Sequence, residues 1–114
     1  MSDLQENLLE RRILDLSALL HLRTMLIARA MVRGRWVTPY KGTGKGWLDF
    51  TAVGPGGALF RELKMDGKYP TPDQRLWIAA WRGIDYDAGV WKVADWESGR
   101  IQAELTAIAT AVTP

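Results

Sequence analysis

Three observations predict an α/β fold, in the form of an α+β arrangement with a mixed sheet. The first third of the chain repeats apolar residues at helical spacing. Two strand-like segments then flank Gly54-Pro55-Gly56-Gly57, which is a strong turn signal. A helix follows them and leads to a further short apolar strand. Because that strand returns after a helix, the sheet is expected to contain both antiparallel and parallel neighbours.

Length and composition restrict the classes of protein that the chain can form. Its 114 residues suffice for one domain with a core, spanning 1–114. With no Cys and one His, the sequence excludes a disulfide framework, a thiolate zinc site, a Cys nucleophile and a cage of His ligands. The N-terminus is unlike a signal peptide, and the most apolar window is too short and too charged to cross a bilayer. We therefore expect a cytoplasmic protein that does not associate with membranes.

The first predicted element is an amphipathic helix that begins at Ser2 or Asp3 and ends at Gly34. Its apolar stripe has spacings of mostly three and four and consists of Leu4, Leu8, Leu9, Ile13, Leu16 and Leu20. Because a single helix of this length is unusual, the alternative is a break near Ser17. The leucines exceed what a compact core needs, and residues 1–17 are therefore a candidate helical extension that supplies a dimer interface.

The remaining elements follow from local signals of turns, caps and alternation. A second helix has a well-formed start in Thr71-Pro72-Asp73-Gln74, with Thr at the N-cap, Pro at N1 and Gln at N3. A short edge strand is predicted at the start of a basic, glycine-containing segment. The complete order is α, β, β, β, α, β, α, with strands at 36–38, 47–53, 58–65 and 88–93, a helix over 71–83 and a last helix from Asp95 through Val112.

The charges are unevenly distributed along the chain. There are 15 Lys and Arg residues against 13 Asp and Glu, yet no acidic residue lies between Asp15 and Asp49. The resulting basic surface suits a partner that carries phosphates, and the alternative is an ordinary solvated face. The candidate DNA-binding residues are Arg33, Arg35, Lys41, Lys45 and Lys68.

Asp49 and the segment Glu62-Leu63-Lys64 contain the residue types of a hard-cation site. Side chains two residues apart on a strand share a face, so that Glu62 and Lys64 point the same way while Leu63 points into the opposite layer. Asp49 lies on the neighbouring arm of the hairpin, where its carboxylate is expected to converge with that of Glu62. Two carboxylates and the Leu63 backbone carbonyl suit Mg²⁺, with Mn²⁺ as a substitute. The alternative is a cross-strand ion pair on a solvent face.

Three short segments carry a resemblance to a known family by their order and spacing. They are Gly46-Trp47-Leu48-Asp49, Leu59-Phe60-Arg61-Glu62-Leu63-Lys64 and Pro72-Asp73-Gln74, followed by a helix and by Ala88-Gly89-Val90-Trp91. Over roughly residues 18–105 the chain resembles the PD-(D/E)xK nuclease superfamily, and within it the small VRR-NUC domains of phages and bacteria. The resemblance implies a restriction-endonuclease-like αβββαβ core and a Mg²⁺-dependent nuclease.

The resemblance also assigns roles to individual residues. It implies that Asp49, Glu62 and the Leu63 carbonyl bind the metal, and that Lys64 is the catalytic lysine. Because a Lys beside two carboxylates is a poor base, we expect it to orient the attacking water and to stabilise charge in the transition state. Gln74 matches the polar residue at the start of the following helix, and its alternative is a purely structural role in the capping box.

The chain departs from the family pattern in two places. Leu48 replaces a Pro that shapes the backbone. The family also has a Glu on its first helix as an extra metal ligand, and the acids available here are Asp15, Glu10 and the more distant Glu6. Asp15 or Glu10 is therefore the candidate for that additional ligand.

The leading interpretation is a Mg²⁺-dependent, structure-selective DNA endonuclease of phage or mobile-element recombination, with the Holliday junction as candidate substrate. Symmetric cutting of a junction requires a two-fold homodimer, and a phage-encoded enzyme would act in the host cytoplasm. No nucleotide cofactor is expected, because Gly42-Thr43-Gly44-Lys45-Gly46 lacks the first Gly and the final Ser or Thr of a phosphate-binding loop. The alternative is a nucleic-acid-binding protein or partner subunit on the same fold, with its catalytic activity lost.

Overall fold

The structure is a computed structural model that describes residues 2–28 and 30–111. Its elements, in chain order, are the helix α1 (Ser2–Leu19), the strands β1 (Arg23–Leu26), β2 (Ala30–Val32), β3 (Arg35–Val37), β4 (Phe50–Gly54) and β5 (Gly57–Lys64), the helix α2 (Pro72–Gly83), the strand β6 (Asp87–Lys92), and the helices α3 (Val93–Glu97) and α4 (Arg100–Ala109). The chain is therefore a mixed α/β protein with helices at both ends. None of the helices in these two ranges has the length and apolar character needed to cross a membrane.

Four strands form the main sheet, in the order β1-β4-β5-β6. β1 is antiparallel to β4, and β4 is antiparallel to β5. Gly54 pairs with Gly57, which leaves Pro55 and Gly56 as the two residues of the predicted turn. β5 and β6 are parallel and are connected through α2. The predicted mixed sheet is therefore confirmed, with its parallel pair produced by the helical crossover.

Apolar side chains cover both faces of the main sheet. On one face, buried residues of α1, α4 and the strands form the larger cluster, which comprises Leu9, Ile13, Leu22, Phe50, Ala52, Leu59, Leu63, Trp91, Ile101, Leu105 and Ile108. On the other face, α2 packs over a smaller cluster of Leu48, Ile78 and Ala88. Strand alternation separates the two clusters, because neighbouring residues point to opposite faces. Leu9 and Ile13 of α1 are buried in the larger cluster, so the helical extension predicted over 1–17 packs on the core.

The first helix is shorter than predicted. It ends at Leu19 rather than at Gly34, because His21 adopts a left-handed conformation with a φ of 58°. The Leu22 amide then donates to the Ser17 carbonyl over 3.0 Å, as in a Schellman motif. Glycine is the usual residue at the left-handed position, so the sequence contained no clear stop signal there. The chain continues as β1, which is an edge strand of the main sheet. From the sequence, these residues were predicted to continue the helix.

β2 and β3 form a separate two-stranded hairpin. Val32 pairs with Arg35, so that Arg33 and Gly34 make a two-residue turn with φ values of 50° and 77°. Two positive φ values in succession are what a type I′ hairpin turn requires. Gly34, predicted as the end of a helix, is therefore a turn residue. The edge strand predicted at 36–38 lies in this hairpin and not in the main sheet.

The last predicted helix is divided in two. Gly99 has a φ of 85°, which breaks the helix between α3 and α4. The start was predicted at Asp95 and lies at Val93. The prediction of helix through Val112 was also wrong, because α4 ends at Ala109 and Thr110 has an extended backbone; Val112 itself lies outside the described residues.

The buried side chain of Arg61 joins β5 to β6 and α4 through ion pairs with two carboxylates that are partly exposed. Its side chain is 3% exposed, and its Nη2 lies 2.7 Å from Asp87 Oδ1 and 2.6 Å from Glu104 Oε1. The guanidinium also lies over the ring of Trp91. Burial acts to raise the pKa of Glu104, but the hydrogen bond and charge of Arg61 outweigh it, and the pKa lies below its ordinary value. These contacts fasten α4 to the sheet on the face opposite to Glu62.

Candidate functional site

Asp49 and Glu62 meet at the end of the β4–β5 hairpin. Phe50 pairs with Arg61, so the register places Asp49, one residue earlier, opposite Glu62. The Asp49 Oδ2 accepts a hydrogen bond from the Leu63 amide over 3.0 Å, which holds its side chain against β5. The two carboxyl groups lie close enough for the charge of Asp49 to raise the pKa of Glu62. The convergence predicted from the hairpin is therefore present.

Glu62 is a buried carboxylate with an incomplete set of partners. Its side chain is 1% exposed. Oε2 accepts a hydrogen bond from Gln74 Nε2 over 2.7 Å and lies 3.4 Å from Lys64 Nζ. Oε1 is also buried, and within the described part of the chain it has no hydrogen-bond partner. A buried oxygen without a partner is costly, which makes this atom the natural position for an additional ligand.

The surroundings of Glu62 strongly favour its neutral form. Removal from water is the largest effect, and the charge of Asp49 adds to it. The charge of Lys64 opposes both effects but does not cancel them. Together they raise the pKa of Glu62 from 4.5 to about 8. A carboxyl group whose pKa is raised by burial and by a charged neighbour is typical of a functional site.

Gln74 closes the capping box of α2 and also contacts Glu62. Its Oε1 accepts from the Thr71 amide over 2.8 Å, and Thr71 Oγ1 accepts from the Gln74 amide over 3.2 Å. These two bonds complete the predicted capping box at the start of α2. The other end of the same side-chain amide donates to Glu62. The start of α2 is thereby tied to the buried carboxylate.

The loop before Asp49 is packed against the start of α2. Gly46 lies so near α2 that a Cβ there would be 2.6 Å from the backbone carbon of Asp73. The Lys45 carbonyl accepts from Trp77 Nε1 over 3.0 Å, and the Lys45 side chain pairs with Asp73 at 3.6 Å. Trp47 makes an edge contact with Trp77, with ring centroids 4.6 Å apart. Part of this glycine-containing loop is therefore anchored to α2, and this fixes the approach to Asp49.

Two cavities meet at Asp49. The first has a volume of about 490 Å³ and is lined by Glu6, Glu10 and Asp49 together with Trp36 and residues 26–28 at the end of β1. Glu10 therefore faces the same space as Asp49, as its candidacy for an additional ligand requires. Asp15 is exposed and does not line this cavity, so the structure does not bring it to the site.

The second cavity, of about 570 Å³, has a basic wall. Arg35 and Lys45 line it, together with Gln74 and Asp49. Asp49 is the single acidic side chain among the lining residues that the structure describes. Three other candidate DNA-binding residues line neither cavity, and all of them are exposed: Arg33, Lys41 and Lys68. Two of the five predicted basic residues are therefore gathered at the site.

The carboxylates of Asp49 and Glu62 fit a divalent cation. A cation between them would provide a partner for Glu62 Oε1 and would favour the charged form of both groups. Within 2–28 and 30–111, no three side chains of His, Cys, Asp or Glu form a group that could hold a metal ion. Backbone oxygen and water would have to complete the coordination, which Mg²⁺ tolerates. The Leu63 carbonyl stays the predicted third ligand.

One further residue, Trp36, lies at the site although it belongs to none of the sequence motifs. Trp36 lines both cavities, because β3 stands beside the loop that leads to Asp49. The signal for this hairpin was present, since Arg33 and Gly34 separate two short apolar segments. It was masked by the apolar density that favoured a continuous helix.

Comparisons of the chain with protein-family models, with curated proteins and with solved structures find no match. The functional conclusion therefore depends on the geometry of the site and on the motif that contains it.

Proposed function

We propose that the chain is a Mg²⁺-dependent endonuclease that hydrolyses phosphodiester bonds in branched or otherwise structured DNA. The observation that carries the proposal is the arrangement around Glu62, a buried carboxylate beside Asp49 and Lys64 with one oxygen left without a partner. A stable fold gains little from such a group, because a buried polar oxygen without a hydrogen-bond partner costs free energy. A bound cation would supply the missing partner of this oxygen and would explain why the carboxyl group is buried here.

The order of elements also supports the proposal. With the β2–β3 hairpin regarded as an insertion, the remaining elements run α1, β1, β4, β5, α2, β6. This is the αβββαβ order that the resemblance to PD-(D/E)xK nucleases implies. In that family the acidic residues lie on the hairpin and the polar residue lies on the following helix, as Asp49, Glu62 and Gln74 do here.

Each residue of the site has a role in the proposed reaction. Asp49 and Glu62 would hold Mg²⁺, and the bound ion would neutralise the phosphate and make a water a better nucleophile. Gln74 keeps the Glu62 carboxylate oriented through its hydrogen bond. Lys64 holds a positive charge beside Glu62 and stabilises the charge that develops on the phosphate oxygens. Glu10 faces Asp49 across the first cavity and is the candidate for the additional ligand.

The basic wall of the second cavity supplies a path for the DNA backbone. Arg35 and Lys45 line the cavity that reaches Asp49, so phosphates held there would lie near the carboxylates. Lys41, Arg33 and Lys68 would act further along the path. Lys45→Ala should weaken DNA binding and reduce the salt dependence of the binding constant.

The test is a cleavage assay with Mg²⁺ or Mn²⁺ on four-way junction, flap, single-stranded and linear duplex DNA. We expect metal-dependent cutting that Asp49→Ala and Lys64→Ala abolish while DNA binding remains. Glu97→Gln is the matched acidic control, because Glu97 is exposed on α3 and remote in sequence from the site. Cutting that persists in Lys64→Ala would contradict the assignment of the site.

A second candidate is a nucleic-acid-binding protein whose catalytic activity has been lost. It is favoured by one observation, namely that the described residues offer two carboxylates rather than a group of three ligands. Binding without cutting, in both metals and on all four DNA structures, would support this candidate.

Junction cleavage would further require a homodimer. Leu8 and Leu19 are exposed on α1 and are available for such an interface. Sedimentation at micromolar concentration measures the oligomeric state directly. A monomer that still cuts both strands of a junction would exclude the dimer. The compartment that we propose is the cytoplasm, or the host cytoplasm for a phage protein.

A further inference from the structure

Trp36 is the most exposed of the six tryptophans, all of which the structure describes. It is 65% exposed, and no ring–ring contact in the described ranges involves it. Its cross-strand partner in the hairpin is Met31, which is 52% exposed. Directly paired residues of an antiparallel pair lie side by side on one face. Trp36 and Met31 therefore form an exposed apolar surface, whereas large apolar side chains are usually buried.

The position of Trp36 connects this surface to the site. The ring lines both cavities, and both cavities reach Asp49. Arg35, the next residue along the chain, lines the second cavity with Lys45. The Arg33–Gly34 turn adds a further exposed cation at the tip of the hairpin. A flat aromatic ring bordered by cations is the combination that binds a base and its phosphates together.

We propose that the β2–β3 hairpin is a stacking platform for an unpaired nucleotide, so that the preferred substrate has a single-stranded segment beside the phosphodiester that is cut. This inference rests on the proposed nuclease function and specifies its substrate. Bases within a duplex are already stacked on their neighbours, and a ring on a cavity wall meets only the sugar and phosphate of such DNA. An unpaired base can leave its strand and stack on Trp36, while Arg35 and Lys45 contact the adjoining phosphates.

Charge favours a nucleic acid over an apolar protein partner on this surface. The chain has no acidic residue between Asp15 and Asp49, a stretch that includes the whole hairpin. A protein partner would have to bury Arg33 and Arg35 beside the apolar pair, whereas DNA neutralises them. A second copy of the chain would bring like charges together at the same place. The occupant to which we commit is therefore single-stranded DNA.

The experiment measures binding in EDTA, so that no cutting takes place. The probes are a single strand, a blunt duplex, and a duplex with a short single-stranded gap, each with 2-aminopurine at one position. Stacking on an aromatic ring quenches the fluorescence of an unpaired 2-aminopurine. We expect quenching with the single strand and with the gapped duplex, and none with the blunt duplex. Trp36→Leu should lose the quenching and about ten-fold in affinity for those two probes.

Two further variants serve as controls. Trp36→Tyr should keep most of the quenching, because an aromatic ring is retained. Leu76→Ala removes an exposed apolar side chain from α2 and should bind as the wild type does. Thermal unfolding of Trp36→Leu checks that the fold is intact. Equal affinity of wild type and Trp36→Leu for all probes would overturn the proposal, as would a dimer that only Trp36→Leu dissociates.

Parallel cleavage assays separate this inference from the nuclease proposal. If the wild type cuts DNA but Trp36→Leu binds every probe normally, the stacking platform is wrong and the nuclease stands. If Trp36 is needed for binding unpaired nucleotides and no DNA is cut with either metal, the nuclease is wrong. The hairpin would then remain a single-strand-binding element of a protein without catalytic activity, and the inference would survive without its clause on the cut bond.

Discussion

Gln74 Nε2 donates a hydrogen bond to Glu62 Oε2 over 2.7 Å, and the same side chain closes the capping box of α2. One amide group thus stabilises the start of a helix and orients a buried carboxylate. The arrangement couples local structure to the site, because a change at the helix start will move a partner of Glu62. Thr71, the other half of the capping box, has no contact with Glu62 among its hydrogen bonds. The two residues can therefore be used to separate the two effects.

The first prediction compares Thr71→Ala with Gln74→Ala. Each substitution breaks the capping box and should lower the free energy of unfolding by about 1 kcal/mol. Gln74→Ala also deprives a buried carboxylate of a donor, which should cost about 1–2 kcal/mol more. Urea unfolding measures both values. In the cleavage assay, Gln74→Ala should lose activity and Thr71→Ala should keep it. Equal stability of the two variants would contradict the coupling.

The second prediction concerns pH. The pKa of Glu62 is about 8 in the folded state and near 4.5 when unfolded. Between these values the folded state binds the proton more tightly, so stability from this group falls as pH rises. The expected upper limit of the slope is about 1.4 kcal/mol per pH unit. Urea unfolding in EDTA should therefore show the wild type losing stability relative to Glu62→Gln from pH 5 to pH 8.

Glu62→Gln is the control for that measurement, because an amide has nearly the shape of a carboxyl but does not titrate. The difference between the two proteins isolates Glu62 from all other groups. A stability difference that is constant from pH 5 to pH 8 would mean that the burial of Glu62 does not perturb its titration.

The third prediction concerns the contact of Gly46 with α2. Gly46→Ala places a Cβ within 2.6 Å of the Asp73 backbone and forces a side chain into a φ of +81°. We expect a loss of about 2–4 kcal/mol in the free energy of unfolding. Gly42→Ala has a similar φ of +72° but nothing within 4 Å of the new Cβ. It should cost about 1 kcal/mol, from backbone strain alone.

Near-ultraviolet circular dichroism adds a structural readout for these two variants. The Trp47–Trp77 contact should be disturbed in Gly46→Ala and preserved in Gly42→Ala. Two variants with the same stability would indicate that the loop is not packed on α2.

The fourth prediction concerns the ion pairs of the buried Arg61 side chain. Arg61→Ala removes a side chain that is 3% exposed together with its pairs to Asp87 and Glu104, while Glu104 keeps its pair with Arg100. We expect a loss of roughly 2–4 kcal/mol in the free energy of unfolding, from the space left behind and from the lost hydrogen bonds. Arg100 also pairs with Glu104, at 2.6 Å, but its side chain is 49% exposed. Because exposed pairs contribute little, Arg100→Ala should cost less than about 1 kcal/mol. Chemical unfolding of the two variants tests the contrast.

The elements that the sequence predicted well are those with short-range signals. The β4–β5 hairpin follows from the Gly-Pro-Gly-Gly turn, and α2 follows from its capping box. Strand alternation then placed Glu62 and Lys64 on one face, and their ion pair at 3.4 Å bears this out. The proximity of Asp49 to Glu62 follows from the same hairpin. Most of the candidate site was therefore predictable, since its residues lie on adjoining strands and on the helix that comes next.

The wrong predictions concern segments that can form either a helix or a strand. The apolar residues that follow α1 suit either a helix or a strand, and periodicity alone does not separate the two. The end of α1 depends on a left-handed His21, and the strand that follows it depends on pairing with β4. The alternative break near Ser17 was closer to the outcome than the helix to Gly34. Because the helix was predicted to continue to Gly34, the β2–β3 hairpin was not predicted either.

The sequence by itself determined which residues share a strand face, where the main turn and the second helix begin, and that Asp49 and Glu62 converge. These are local consequences of alternation, turn chemistry and capping. Only the tertiary structure decided that Glu62 is buried with a pKa near 8, that Glu10 and not Asp15 faces Asp49, and that Trp36 stands exposed between two cavities. The reason is that exclusion of water and the convergence of distant segments depend on how layers pack. No spacing along one chain specifies that packing.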